Sequence, residues 1–206
     1  MSFYEEHIAP HLVSLACSAR PIARQRAKVV PGAEGRVLEV GFGSGLNLPF
    51  YDPEKVTQLF ALEPSAGMRR KAASRAAAVR FPIDYLDLPG ETVPLEDASV
   101  DTVLVTYTLC TIDAVARAVG EMRRVLKPSG RLLFCEHGAA PDADVRRFQR
   151  RIGPLWTVVG AGCRLDRPIP ELVSAGGFTI ERLEAMYLPK TPRFAGYNYW
   201  GSARPG

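Results

Sequence analysis

The 206-residue chain has no apolar run approaching the ~20 residues that a helix needs to cross a bilayer, so membrane insertion is not expected. Its opening, Met1-Ser2-Phe3-Tyr4-Glu5-Glu6, carries acids where a secretory signal carries bases, and the expected compartment is the cytoplasm. Cysteine is scarce: Cys17, Cys110, Cys135 and Cys163 lie far apart, with no Cys-x-x-Cys pair. Neither a disulfide framework nor metal-ligand spacing is legible, and no metal is expected. Repeats, low-complexity tracts and long linkers are also missing, which leaves one domain over residues 1–206. Hydrophobic residues at 47% and charged residues at 23% are globular values, so disorder is not expected.

The net charge is +4, and the bases fall into four clusters: Arg20/Arg24/Arg26/Lys28, Arg69/Arg70/Lys71/Arg75, Arg123/Arg124/Lys127 and Arg146/Arg147/Arg150/Arg151. None is interleaved with the aromatics that stack single-stranded bases. Each therefore reads as a solvated helix face, and nucleic acid is not an expected partner. Leu155-Trp156-Thr157-Val158-Val159 follows the last cluster. That stretch suits peripheral contact with a membrane surface, or a wall beside a substrate entrance.

What is present is an alternation of strand and helix signals, the pattern of a mostly parallel sheet covered by helices. Helices are expected over 3–18 and 21–29, the second opened by Pro21 and stopped by Pro31-Gly32. Together they make an N-terminal helical lid of residues 1–30 on a core of 31–206. Strands are expected at 36–40, 58–62, 83–86, 100–106 and 131–135, the fourth apolar enough to be buried on both faces. Ser65 caps a helix to about Ala78, and Asp113 caps one to Leu126. Further helices are expected near 143–162 and 170–175. Residues 178–187 and 196–203 are two strands with no helix between them, hence an antiparallel hairpin near one sheet edge.

The sharpest local signal is Val37-Leu38-Glu39-Val40-Gly41-Phe42-Gly43-Ser44-Gly45, a strand running into alternate glycines and then, by expectation, a helix start. Glycine permits the tight turn and lets a ligand approach the backbone where a Cβ would clash. A helix N-terminus there would add unpaired N–H groups. The dinucleotide fingerprint puts its third glycine one residue later. The compact Gly-x-Gly-x-Gly form suits S-adenosylmethionine, which lacks a pyrophosphate. Glu63 ends the second strand 22 positions after Gly41, where a carboxylate accepts from both ribose hydroxyls; the alternative is a helix-capping acid before Pro64-Ser65. A third piece is Leu88-Pro89-Gly90-Glu91, whose backbone would bond the purine edge while Leu62 or Leu88 packs on its face. The expected cofactor-binding residues are Glu39, Gly41, Phe42, Gly43, Gly45, Asn47, Leu62, Glu63, Pro64, Leu88, Pro89, Gly90, Glu91, Thr106 and Tyr107.

Leu38-Glu39-Val40-Gly41, Glu63-Pro64-Ser65, Ser99-Val100-Asp101 and Arg124-Val125-Leu126-Lys127-Pro128-Ser129-Gly130 together resemble class I S-adenosylmethionine-dependent methyltransferases. The resemblance implies a Rossmann-like α/β fold with a seven-stranded sheet in the order 3-2-1-4-5-7-6, strand seven antiparallel. It implies Gly41, Gly43 and Gly45 around the methionine moiety and Glu63 on the ribose. Phe42 departs from the usual Gly-Cys-Gly or Gly-Thr-Gly, and Pro89 stands where an acid often precedes the adenine loop's alanine. Cys135-Glu136-His137-Gly138-Ala139-Ala140, Trp156, Gly162-Cys163-Arg164-Leu165-Asp166-Arg167 and Phe194-Ala195-Gly196-Tyr197 are similar to the methyltransferase-like-seven group. Those relatives are linked to S-methylation of small alkyl thiols, and the animal members carry a membrane-inserting N-terminal segment. No such segment is legible here, so a soluble relative is expected.

Methyl transfer from a sulfonium needs alignment above all, and a general base only where the acceptor is a poor nucleophile. The expected partner is a small-molecule methyl acceptor, with a thiol as the leading guess. The catalytic candidates are His137, Glu136 and Tyr107, with Cys110 nearby in sequence after strand four. His137 reads either as a substrate contact or proton handler, or as a structural histidine bonded to a neighbouring loop. Tyr4, His7 and His11 could face the cleft or form an exposed stripe. Strand four ends in Thr106-Tyr107-Thr108-Leu109, without the Asp/Asn-Pro-Pro-aromatic motif of certain amino-methylating enzymes. No aspartate is there to hold magnesium. The other readings are an N- or O-methyltransferase of a lipid, quinone or other metabolite, a non-catalytic S-adenosylmethionine-binding module, and an NAD-binding oxidoreductase, which the glycine spacing disfavours. Oligomeric state is left open.

Overall fold

The computed structural model describes residues 14–206 apart from residue 16. The helix expected over 3–18 falls largely outside the described residues, as do Tyr4, His7 and His11. Strands β1 (Gly35–Val40), β2 (Val56–Leu62), β3 (Ile83–Leu86), β4 (Val100–Thr106), β5 (Leu126–His137), β6 (Phe178–Tyr187) and β7 (Tyr197–Pro205) form one sheet. Its order is β3-β2-β1-β4-β5-β7-β6. The first five strands pair in parallel, while β7 runs antiparallel to both β5 and β6. This is the Rossmann-like arrangement expected from the sequence.

The helices are α1 (Arg20–Val29), α2 (Ala66–Ala76), α3 (Val115–Val125), α4 (Ala143–Val159), α5 (Ile169–Ala175) and a single turn, α6 (Arg193–Gly196). Period-two alternation along the parallel strands divides the core between the sheet's faces. Leu38, Val40, Val103, Val105 and Phe134 pack with Val119 and Met122 of α3 and with Ile169 and Val173 of α5. Val37, Leu59, Ala61, Leu104 and Leu133 pack with Val29 of α1 and Ala72 of α2. A sheet buried on both faces explains the continuous apolar run of β4.

Four local expectations are corrected. No α-helix follows the glycine turn: Gly41, Gly43 and Gly45 all have positive φ (73°, 57° and 72°), and Pro49 leaves only a 3-10 turn at Leu48–Phe50. No helix dipole therefore points into the turn. Helix α3 begins at Val115 with no side-chain cap, because Asp113 instead pairs with Arg164 at 2.7 Å. Strand β5 starts at Leu126, not 131, since Leu126 already pairs with Val100. The α6 turn interrupts the connection between β6 and β7, which still pair as the edge hairpin.

Candidate functional site

The strand order reverses between β1 and β4, and open α/β sheets bind ligands at the carboxyl ends flanking such a point. A cleft of about 280 Å³ opens there. Gly41, Phe42, Gly43, Ser44, Glu63, Ser65 and Met68 line one side of it, and Thr106, Tyr107, Thr108, Thr111 and Ala161 the other. Ser14, Cys17 and Arg26 line it from the N-terminal region, and Leu46 from just beyond the glycine turn.

The glycine turn is held against β2: the N–H groups of Gly41 and Phe42 both donate to the Leu62 carbonyl, at 3.0 and 3.1 Å. Gly43 N–H donates to Glu63 Oε2 at 2.9 Å, and Ser65 N–H to Glu63 Oε1 at 2.8 Å. A Cβ on Gly41 would run into the Thr108 side chain. Burial pushes the Glu63 carboxyl up, with the two backbone donors opposing that rise. Each oxygen keeps a further lone pair for a hydroxyl donor. Arg69 braces the segment by donating to the Glu63 carbonyl and to both oxygens of Asp87, at 2.7 and 2.8 Å.

Under the cleft runs a buried polar network. Tyr51 OH donates to Glu39 Oε2 at 2.6 Å, and Asn47 Nδ2 to Glu39 Oε1 at 2.9 Å. Arg26 Nη1 donates to Asn47 Oδ1 at 2.8 Å and to Thr106 Oγ1 at 2.5 Å. Burial raises the Glu39 carboxyl to about 7 against the pull of its two donors. Arg26 is 6% exposed, which corrects its reading as part of a solvated helix face; a guanidinium so buried needs these partners.

Of the residues expected on the cofactor, Gly41, Phe42, Gly43, Glu63, Thr106 and Tyr107 line the cleft. Glu39 and Asn47 belong to the network beneath it, and Gly45 is packed against Leu48 and Ala72. Leu62, Pro64, Leu88, Pro89, Gly90 and Glu91 are outside the lining. Leu62 is core, Leu88 packs against it, and a Cβ on Gly90 would meet Ile112 and Val40. Glu91 Oε1 accepts from Ala114 N–H at 3.3 Å.

On the opposite side, Tyr107 has φ 54° and donates its hydroxyl to Asn198 Oδ1 at 2.6 Å. Glu136, fully buried, accepts from Thr108 N–H at 2.8 Å and Leu109 N–H at 3.2 Å through Oε1. Its Oε2 has no partner among the described residues, and burial raises the carboxyl to about 7. His137 Nε2 lies 3.2 Å from Cys163 Sγ, which also accepts from Trp156 Nε1 at 3.4 Å. The Cys110 hydrogen bond, then the His137 and Trp156 bonds, hold the Cys163 thiol well below its ordinary value against burial. Burial, the largest influence, lowers His137, but its hydrogen bond to Cys163 together with the charges of Cys163 and Glu136 leaves the ring raised. Sequence reasoning missed Arg26, Ser65, Met68, Thr108, Thr111 and Ala161 in the cleft. Arg26 sat in an ordinary-looking basic cluster, and no local pattern marked it.

The sheet order, the glycine turn and the carboxylate at the end of β2 define the class: a Rossmann-like domain built around a nucleoside cofactor. A methyltransferase-domain family profile matches residues 38–134. The chain is 32% identical to the thiol S-methyltransferase TMT1B of Homo sapiens over 181 residues, 82% of this chain and 73% of that protein. It is 31% identical to phosphatidylethanolamine N-methyltransferase of Cereibacter sphaeroides over 164 residues, 79% of this chain and 73% of that one. In fold it matches an S-adenosylmethionine-dependent methyltransferase from Mesorhizobium loti with a TM-score of 0.67 at 20% identity, covering 90% of this chain and 98% of the other. A chain of the Haloferax volcanii Trm112 activator–methyltransferase complex matches with a TM-score of 0.75 at 16% identity, covering 100% of both. The chain belongs to the class I S-adenosylmethionine-dependent methyltransferases, close to the thiol methyltransferase group, and S-adenosylmethionine is its cofactor. No helix among the described residues is long and apolar enough to cross a membrane.

Proposed function

We propose that this enzyme methylates a small-molecule thiol. The observation that carries the reading is the two-sided cleft: a glycine turn and Glu63 on one side, Tyr107 and Thr108 on the other. Gly41, Phe42 and Gly43 receive the methionine end of the cofactor, and Glu63 accepts from the ribose hydroxyls. Arg26, the cation of the lining among the described residues, suits the cofactor's carboxylate. The acceptor approaches from the Tyr107 side, with Glu136 behind the Thr108–Leu109 backbone and His137 beside Cys163. As the acceptor sulfur forms its bond to the methyl carbon, the bond from that carbon to the sulfonium sulfur breaks, releasing S-adenosylhomocysteine. Alignment can supply up to about 7–11 kcal/mol of barrier lowering, and a thiol is already partly thiolate near neutrality. Identity to thiol S-methyltransferases over most of the chain supports the choice of sulfur.

A lipid amine is the second reading, favoured by the phosphatidylethanolamine relative and by Leu155 and Val158, 71% and 73% exposed on α4 beside its arginines. The test is S-adenosylhomocysteine release over a panel of small thiols, amines, phenols and phospholipid liposomes. Turnover confined to thiols is the expected result. Turnover only on liposomes would replace the thiol with the lipid amine.

A further inference from the structure

Cys110, His137 and Cys163 come from three separate parts of the chain: the loop after β4, the last residue of β5 and the turn after α4. Their donor atoms all lie within 4.8 Å of one another, with Cys163 Sγ 3.2 Å from His137 Nε2. A tetrahedral zinc ion with Zn–S near 2.3 Å and Zn–N near 2.0 Å spaces such donors roughly 3.6–3.8 Å apart. The cluster is therefore already close to coordination size.

Its members are braced from outside. Glu136 accepts from Thr108 N–H and Leu109 N–H, fixing the loop that leads to Cys110. Arg164 N–H donates to the Cys110 carbonyl at 2.9 Å, tying the two cysteine segments together. Trp156 Nε1 donates to Cys163 Sγ at 3.4 Å. Metal ligands are commonly oriented by such outer contacts, and those contacts set affinity.

We propose that Cys110, His137 and Cys163 bind a soft divalent cation of the zinc class. Two sulfurs and an imidazole are a donor set that zinc prefers and that magnesium and calcium avoid. Three protein ligands leave one tetrahedral position open, as catalytic zinc sites do, whereas structural sites fill all four. Thr111 and Ala161, one and two residues from the cysteine ligands, line the methyl-transfer cleft, so the open position borders its acceptor side. There a small thiol binds as the fourth ligand and releases its proton to solvent. That assignment rests on the thiol reading of the cleft; the metal site itself does not. Cys17 also lines the cleft but is not part of the three-donor group.

The test is a cobalt(II) titration of the reduced, chelator-treated full chain, followed by displacement with zinc. One equivalent should bind with the charge-transfer absorption of thiolate coordination. Cys163→Ser and His137→Ala should each weaken binding by at least about tenfold, and Cys17→Ser should not. Zinc should also shield Cys110 and Cys163 of the unsubstituted protein from alkylation counted by mass spectrometry, a readout independent of how any variant folds. Absence of stoichiometric binding, or binding that survives both substitutions, overturns the site. Adding a small thiol to the cobalt form should shift its absorption. An unshifted spectrum overturns the fourth-ligand assignment and leaves the metal site standing, while the acceptor panel judges the thiol reading separately.

Discussion

The two sides of the cleft are built in opposite ways. The side with the glycine turn is simple: Gly41, Phe42, Gly43 and Glu63 sit at the ends of the consecutive strands β1 and β2, and their hydrogen bonds run directly between those two strand ends. The opposite side is lined by Thr106, Tyr107, Thr108, Thr111 and Ala161, with Glu136 and the Cys110–His137–Cys163 cluster outside the lining; these meet because β4 and β5 are neighbours and the chain after α4 returns to the loop after β4. The buried carboxylates beneath them show the same contrast. Glu39 and Glu136 are both raised to about 7 by burial. Glu39 has a donor on each oxygen, whereas Glu136 leaves Oε2 without one among the described residues. A carboxylate paired on both oxygens is held rigidly, and one left incompletely paired costs stability; the Glu39 network is itself incomplete only further out, at Arg26 Nε, which has no partner among the described residues.

If the two sides are separable, substitutions should divide by side. The largest effect is expected for His137→Ala, which should lower turnover on the order of 100-fold or more while cofactor binding stays at the wild-type level. Equal loss of cofactor affinity in calorimetry would break the division. Gly41→Ala joins the sides destructively, because its φ of 73° is strained for alanine and its Cβ would meet Thr108 across the cleft. A stability loss of about 1–3 kcal/mol is expected in thermal or denaturant unfolding. An unfolding midpoint equal to that of the wild type would mean the turn adapts freely. Glu63→Ala should weaken S-adenosylmethionine binding by ~1–3 kcal/mol, the range for hydrogen bonds to a charged group. Calorimetry reads this directly, and unchanged affinity would remove Glu63 from the ribose.

The next effect concerns pH. The folded-state value of about 7 for Glu39 lies above its ordinary 4.5, so between these values the folded protein holds the proton that the unfolded chain has lost. The contribution of Glu39 is fully present below pH 4.5 and declines as pH rises toward 7, by up to about 1.4 kcal/mol per pH unit. Glu39→Gln should abolish that part of the slope in unfolding measured across the window. Parallel curves for the two proteins would show that the Tyr51 and Asn47 donors already hold the charge. The smallest effect is expected outside both sides: Leu155→Ser and Val158→Ser, on exposed positions of α4, should change stability by no more than about 0.5 kcal/mol. Their value lies in turnover on liposomes, where a selective loss would favour the lipid reading.

Much of the scaffold was legible in order along the chain. The strand at Val100–Thr106 follows from a nearly continuous apolar run, those at Ile83–Leu86 and Phe178–Tyr187 form at their expected bounds, and the antiparallel hairpin follows from the lack of a crossover helix. The helix start expected after Gly45 does not form, since three left-handed glycines and Pro49 leave only a 3-10 turn there. The cap expected at Asp113 was lost to Arg164, a partner 51 residues away that no local rule could weigh.

By itself, then, the sequence determined the succession of strands along the chain, the glycine turn and the carboxylate at the end of β2, because backbone sterics and hydrophobic periodicity act over a few residues, while the sheet order followed from the family resemblance. Tertiary structure alone decided that Arg26 is buried in the cleft wall, that Glu39 faces Tyr51, and that Cys110, His137 and Cys163 converge. Each of these depends on side chains from distant segments sharing a water-excluded space. There the cost of an unpaired polar group, absent in the extended chain, selects the partners.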